Sequence, residues 1–283
     1  MNPLQGGYIA MIKGITRVPC WRRWNTLNVS TLFLLLTLSP VFIMNMGIVN
    51  AAEETLPDPA VIMDKIVEVT GGLETHRRIQ NRVTKGTFEI VMAGIKNAII
   101  TYQAKPHKAY TKMESEAMGT FESGSNGDVA WEKSTITGPK VKEGEERADA
   151  LRDAFFDPQA NWRAFYHKVE SLGMKPVDGR PCYKIVVTPN IGGPQTLYID
   201  KNTYLILKVE WVSKQQMGTI PIEVFVSEYK NVDGILIPHK AKTRFMGQEM
   251  IFTITSVEHN VKMSPDFFKL PEEIRALVDT SRK

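Results

Sequence analysis

Residues 195–257 read QTLYIDKNTYLILKVEWVSKQQMGTIPIEVFVSEYKNVDGILIPHKAKTRFMGQEMIFTITSV, a succession of segments rich in β-branched and aromatic residues. Gln195–Asp200, Tyr204–Ser213, Ile220–Tyr229, Ile235–Thr243 and Glu249–Val257 each have the length and content of a strand. Lys201-Asn202 and Asp233-Gly234 supply turns, because Asn, Asp and Gly tolerate the backbone angles of a tight reversal. No helical pattern separates these strands, so the rhythm of a parallel βαβ sheet is missing. Upstream, Pro181–Thr188 extends the series between Asp178-Gly179 and Gly192-Gly193.

The first half of the chain repeats the pattern. Phe88, Ile90 and Met92 alternate on one strand face, Ala98, Ile100 and Tyr102 on the next, and Ala109, Thr111 and Met113 on a third. Met118–Gly124 and Val129–Ser134 follow, with Asn126-Gly127 between them as a hairpin signal. Gly94 and Lys105-Pro106 punctuate the earlier strands.

Helical periods are few. Val61, Ile62, Ile66, Val67 and Val69 fit one helix that Gly71-Gly72 ends, and a short second helix is expected over Leu73–Ile79. Two helix-like stretches sit mid-chain: Glu143–Phe156, with Leu151 and Phe155 one turn apart, and Asn161–Ser171, with Trp162, Phe165 and Tyr166 on one face. Asp157-Pro158 separates them, and Pro265–Leu277 closes the chain. The fold class read from this is α+β: a strongly curved antiparallel sheet of about ten or eleven strands with helices on its concave side.

Residues 1–51 read as a signal peptide. Arg22-Arg23 precede the apolar run Leu32–Val49, and Val49-Asn50-Ala51 gives a small-residue exit, so cleavage is expected after Ala51. The alternative is anchorage to the inner membrane by residues 32–49, since about 18–20 apolar residues can span a bilayer. Lys13, Arg17, Arg22 and Arg23 hold the whole excess of +4, and the remainder balances acid against base. The body therefore has no global attraction for nucleic acid. Cys20 lies in the leader, which leaves Cys182 alone in the domain over 52–283, with no internal disulfide.

Catalytic patterns are sparse. The five histidines, His76, His107, His167, His239 and His259, show no metal-ligand spacing and no H-E-x-x-H. Gly124-Ser125-Asn126-Gly127 is a turn rather than a nucleophile elbow. No catalytic residue, metal or cofactor is expected. What the body does hold is soft apolar bulk, three Trp and nine Met beyond residue 51, suited to a cavity for flexible chains.

Three anchors carry a family resemblance. The Gly-Gly-ended helix leads into Lys85-Gly86-Thr87-Phe88 and a strand ending Lys105-Pro106-His107-Lys108. Asn126-Gly127-Asp128-Val129-Ala130-Trp131 runs a hairpin into an aromatic strand, and the chain closes on Phe267-Phe268-Lys269-Leu270-Pro271. Over roughly residues 58–277 the sequence thus resembles the LolA-like proteins, which sort lipoproteins to the outer membrane.

The resemblance implies an unclosed half β-barrel whose helices form a lid over an apolar cavity. It implies a periplasmic carrier of a lipid or lipoprotein acyl chain, with an inner-membrane donor and an outer-membrane acceptor. Lys105 stands where the family has an arginine before its proline; it keeps the charge and loses the planar fork. Ile90, Met92, Ile100, Tyr102, Met113 and Trp131 are the expected cavity lining, and Leu151, Phe155, Trp162, Phe165 and Tyr166 the underside of the lid. An envelope sensor binding a lipid or a membrane partner is the alternative, and an envelope hydrolase the least favoured reading.

Overall fold

The computed structural model describes residues 55–116, 119–215 and 218–281. The leader over 1–51, cleavage after Ala51, Cys20 and the start of the domain at residue 52 lie outside the described residues. Helix α1 (Pro59–Val69) opens with proline in its first turn, and the Asp58 carboxylate accepts from the Ala60 amide at 2.7 Å. It ends at Thr70, and Gly71 and Gly72 both take positive φ. Gly71 is required by a close approach: a Cβ there would lie 2.4 Å from the Gly234 carbonyl oxygen. Helix α2 (Leu73–Arg78) follows.

Strands β1 (Asn81–Ile90), β2 (Ile95–Ala104), β3 (Lys108–Ser115), β4 (Gly119–Ser125), β5 (Ala130–Ser134) and β6 (Gly138–Val141) come next. Two helices, α3 (Gly144–Asp153) and α4 (Trp162–Phe165), precede the second run of strands. That run is β7 (Tyr166–Met174), β8 (Cys182–Pro189), β9 (Gln195–Asp200), β10 (Ile206–Gln215), β11 (Gly218–Val232), β12 (Ile235–Phe245) and β13 (Gln248–His259). Helix α5 (Glu272–Ser281) ends the described chain.

All thirteen strands form one unclosed antiparallel sheet, ordered β6-β5-β4-β3-β2-β1-β13-β12-β11-β10-β9-β8-β7. Two meanders, β1–β6 and β7–β13, are joined where β1 pairs with β13. That junction is the long-range closure; every other pairing joins strands adjacent in sequence. The edges are β6 and β7.

Pairing register assigns the two faces. Ile62, Met63, Ile66 and Val67 of α1 pack in one cluster with Tyr183, Ile185, Val187, Leu197, Ile199 and Ile206. These residues define a helix-side face. Across the junction the same face carries Phe252 opposite Phe88, Thr84 opposite Thr101, Thr101 opposite Thr111, and Thr111 opposite Ser123. The other face carries Tyr102 opposite Tyr110 and Gly124 opposite Trp131. A Cβ at Gly124 would meet the Trp131 ring at 2.9 Å, so glycine is what lets that ring lie on β4.

Two expectations need correction, and one strand is unexpected. The helix expected over Asn161–Ser171 is one turn, and Tyr166–Met174 is instead the edge strand β7, paired with β8. Trp162, Phe165 and Tyr166 have helical spacing, but ladder hydrogen bonds to β8 override that local preference. Met92 is not on a strand: β1 ends at Ile90, and Met92 sits in a 3-10 turn (Val91–Ala93), 75% exposed. Strand β6 was not anticipated, because Gly138-Pro139-Lys140-Val141 has little strand content.

Candidate functional site

Between α1 and the helix-side face of β10–β13 lies a cavity of about 390 Å³. Its walls are largely apolar: Ile66 of α1, with Ile206, Val209, Val226, Ile237, Phe252 and Ile254 from the sheet. One end is polar, where Thr70, His76, Arg82, Thr84, Gln103 and Asp157 meet. Thr101 and Gln103 are also in the wall of a neighbouring 400 Å³ cavity, between β2–β4 and Asp149, Ala150 and Asp153 of α3. A wider groove of about 1320 Å³ runs past Trp211, Ile220, Ile222 and Phe245, beside Glu145 and Ala148 of α3.

The polar end is wired by hydrogen bonds. His76 Nδ1 lies 2.6 Å from Asp157 Oδ2, and both side chains are buried. Its Nε2 is 3.2 Å from Thr70 Oγ1, whose own proton is engaged by the Ile66 carbonyl at 2.7 Å. This hydroxyl–imidazole–carboxylate chain has the connectivity of a catalytic triad. Here it ties the ends of α1 and α2 to the segment after α3. The neighbouring amides of Gly71 and Gly72 are bonded to Glu68 and Val67 carbonyls rather than aimed at a reacting oxygen.

Arg82 Nε donates to His259 Nε2 at 3.2 Å, and His259 Nδ1 lies 3.0 Å from Asp233 Oδ2. Since Nε2 accepts, the imidazole is neutral with its proton on Nδ1. Burial pulls the His259 pKa below 6.5, against the opposing pull of Asp233. Burial also lowers the Arg82 pKa, partly countered by Asp157. The guanidinium carbon of Arg82 and Lys105 Nζ both face the Phe156 ring, at 5.4 and 5.8 Å. Lys105 Nζ donates to the Arg77 carbonyl at 2.9 Å, so the position of the family arginine fastens the end of α2. Burial lowers its pKa as well.

The expected lining residues divide between places. Ile90 and Met113 fall on the helix-side face by register, beyond the ends of the 390 Å³ cavity. Ile100, Tyr102 and Trp131 face the other way. Tyr102 stacks on Phe267 at 4.6 Å, and Tyr110 lies 6.2 Å from Trp131, under the C-terminal segment. The residues that do line the cavity from β1 and β2 are Arg82, Thr84, Thr101 and Gln103. On β2 alternation separates the two faces, but the polar residues Thr101 and Gln103 take the helix side and the apolar Ile100 and Tyr102 the other.

The expected lid residues are together. Leu151 is buried on α3, and Phe155 follows that helix. Trp162 and Phe165 are buried on α4, and Tyr166 begins β7. Phe155 and Phe165 stack at 4.4 Å, and Phe165 meets Tyr166 at 4.8 Å. Trp162 Nε1 and the Arg163 guanidinium both bond Asp64 of α1, at 3.1 and 2.6 Å. The Arg163 bond holds the Asp64 carboxyl below the usual carboxylate range.

Among the described residues no group of three or more His, Cys, Asp or Glu could hold a metal ion. None of the described helices is long and apolar enough to cross a membrane. No family model matches the sequence, and no curated protein matches it. Solved structures do. A LolA superfamily protein from Nitrosomonas europaea matches with a TM-score of 0.54 at 13% identity, covering 76% of this chain and 99% of its own. A DUF1329 family protein from Desulfovibrio piger matches with a TM-score of 0.52 at 15% identity, covering 75% and 98%. At such identities the likeness speaks for the fold, and the fold of this chain is LolA-like.

Proposed function

We propose that residues 52–283 form a single-domain periplasmic carrier that binds a lipid or lipoprotein acyl chain and moves it toward the outer membrane. In this reading the helix-side face is the concave face of a half-barrel, and α1, α3 and α4 cover it. Leu151, Phe155, Trp162, Phe165 and Tyr166 form the underside of a lid that reorients on loading. The leader is cut after Ala51, a donor at the inner membrane fills the cavity, and an outer-membrane acceptor empties it. The role is binding and carriage, without catalysis or cofactor.

The observation that carries the reading is the apolar cavity of about 390 Å³ between α1 and β10–β13. Its size lies within the range of small-molecule sites, roughly 300–1,000 Å³. Each methylene buried from water contributes about 0.8 kcal/mol, so a cavity that shields a dozen carbons offsets most of the cost of carrying the chain through an aqueous compartment. The LolA-like fold supports the same reading. Mass spectrometry of lipid extracted from the purified protein tests it. An acyl lipid in near-stoichiometric amount is expected; no lipid recovered, together with no binding of added acyl probes, would overturn it.

A second reading, an envelope sensor, draws on the 1320 Å³ groove at the open end of β10–β12, where Val212 and Met246 are exposed. Such a surface fits a peptide of a membrane partner. Capture of a defined partner peptide by protein whose 390 Å³ cavity is empty would favour it.

A further inference from the structure

The cation at the polar end of the cavity has work left to do. Arg82, on β1, lines the cavity and is half-buried. Its Nε bonds His259, and among the described residues no carboxylate lies within ion-pair distance of its guanidinium. Among the described residues its two terminal nitrogens have no hydrogen-bond acceptor, neither is fully sealed from solvent, and the residue lines the cavity. An arginine fork in that state is built to take two oxygens of one anion.

The nearby negative charge offsets its burial only in part. Asp157 is engaged by His76 at 2.6 Å, and Asp233, which does not line the cavity, is engaged by His259 at 3.0 Å. Lys105 adds a second positive charge beyond the Phe156 ring. Burying an incompletely compensated charge is costly, so the site favours whatever brings it a direct partner. The wall facing Arg82 is apolar, formed by Ile206, Val209, Val226, Phe252 and Ile254.

We propose that Arg82 is the headgroup subsite of the cavity: it binds the single anionic group, carboxylate or phosphate, of an amphiphile whose acyl chain lies along that wall. The inference rests on the carrier reading and narrows it to anionic single-chain ligands.

The test uses four amphiphiles of one chain length: dodecanoate, dodecyl phosphate, dodecanol and dodecyltrimethylammonium. Each displaces the neutral apolar dye N-phenyl-1-naphthylamine from delipidated full-length protein. Dodecanoate and dodecyl phosphate are expected to bind about tenfold or more tightly than dodecanol, and the cation more weakly than dodecanol. Arg82→Gln should bring both anions to the affinity of dodecanol while leaving dodecanol unchanged. Arg82→Lys should keep part of the preference. Acetate and inorganic phosphate at the same concentrations should displace nothing; displacement by them would mark a plain anion site and overturn the amphiphile assignment.

Equal affinities in the native protein, or a preference that survives Arg82→Gln, would overturn the subsite. So would an equal loss for all four ligands, which marks a structural role. If Arg82→Gln does not fold, the native headgroup series and Arg82→Lys decide. Failure of every ligand to bind would remove the carrier reading itself, whereas dodecanol binding without headgroup preference removes only the subsite.

Discussion

His259 illustrates how one residue sets a pH limit. Its Nε2 must stay unprotonated to accept from Arg82. Burial holds its pKa below the ordinary 6.5, so the folded state binds fewer protons than the unfolded chain in that window. The stabilisation is therefore fully present above about pH 6.5 and is lost as pH falls through the folded value. Melting temperature should drop between pH 7.5 and 5, and His259→Gln, which can still accept from Arg82, should flatten that part of the slope. An unchanged slope would place the titration elsewhere. Thr101 and Ile100 separate the two faces. Thr101 lies in the wall of both interior cavities, and Ile100 is opposite Lys112 on the far side. Thr101→Phe should fill cavity space and weaken acyl-probe binding about tenfold, with a stability change of about 1–3 kcal/mol. Ile100→Phe should leave binding unchanged, and equal losses would refute the face assignment. Sequence alternation found both residue sets but not which one faces the helices. Even-numbered residues of β1 pair with odd-numbered residues of β2, so Ile90 and Ile100 cannot share a face. That parity depends on turn length rather than on any local property.

At the scale of elements, the two mid-chain helices are held very differently. The single turn α4 is bonded to α1 through Asp64, and Asn190 reaches the Ala164 carbonyl at 2.8 Å and, through its amide, the Phe165 carbonyl at 3.0 Å. Helix α3 buries Leu151 and Arg152, the latter 5.9 Å from the Trp211 ring, but its polar ties to other elements are exposed: Arg147 to the Asp128 carbonyl at 2.8 Å and Lys140 to Glu146 at 2.6 Å. Exposed ion pairs contribute little, about 0–1 kcal/mol each. In the proposed lid, α3 with Leu151 and Phe155 is the part that reorients, closing against Trp162, Phe165 and Tyr166, which α1 and β8 hold in place. Hydrogen exchange with and without bound lipid should therefore gain protection over residues 144–156, more than over 162–166 or the sheet. Equal exchange in stripped and loaded protein would make α3 a fixed plug. The elements themselves were largely readable. Gln195–Asp200 appears with the bounds that its turns implied, and α1 ends where Gly71-Gly72 required. The stretch 161–171 was not readable, since three aromatic residues satisfy a helical stripe there while the backbone pairs with β8.

An unclosed sheet must protect two edges, and the whole molecule is arranged around that need. The β7 edge is broken by irregularities at Tyr166/Lys168 and Ser171/Met174 and carries a Lys168–Glu170 pair. The β6 edge is four residues long, contains Pro139, and is accompanied by α5. The C-terminal segment also covers the face that lacks the cavity. Phe267 stacks on Tyr102 and lies 6.0 Å from Tyr110, Ile274 is fully buried, and Glu273 pairs with Lys133 at 2.8 Å. Burying a side chain such as Phe267 or Ile274 contributes about 1.5–3 kcal/mol, whereas the exposed pair adds little. The Phe267-Phe268 motif was legible as a family feature, but its partners were not. They belong to strands more than a hundred residues earlier, on the face that apolar alternation marks as the cavity side. Truncation after Asn260 should remove this cover while leaving α1 and β10–β13 untouched. The expected result is a lower melting temperature, binding of an apolar dye at the uncovered Tyr102, Tyr110 and Trp131, and self-association through β6 and that patch. Sedimentation and melting report these changes. Acyl-probe binding below the melting temperature should persist, because the cavity lies on the other face. A truncated chain that stays monomeric with native stability would mean that the C-terminal segment does not guard the edge. Loss of probe binding in a folded truncated chain would mean that the two faces are not independent.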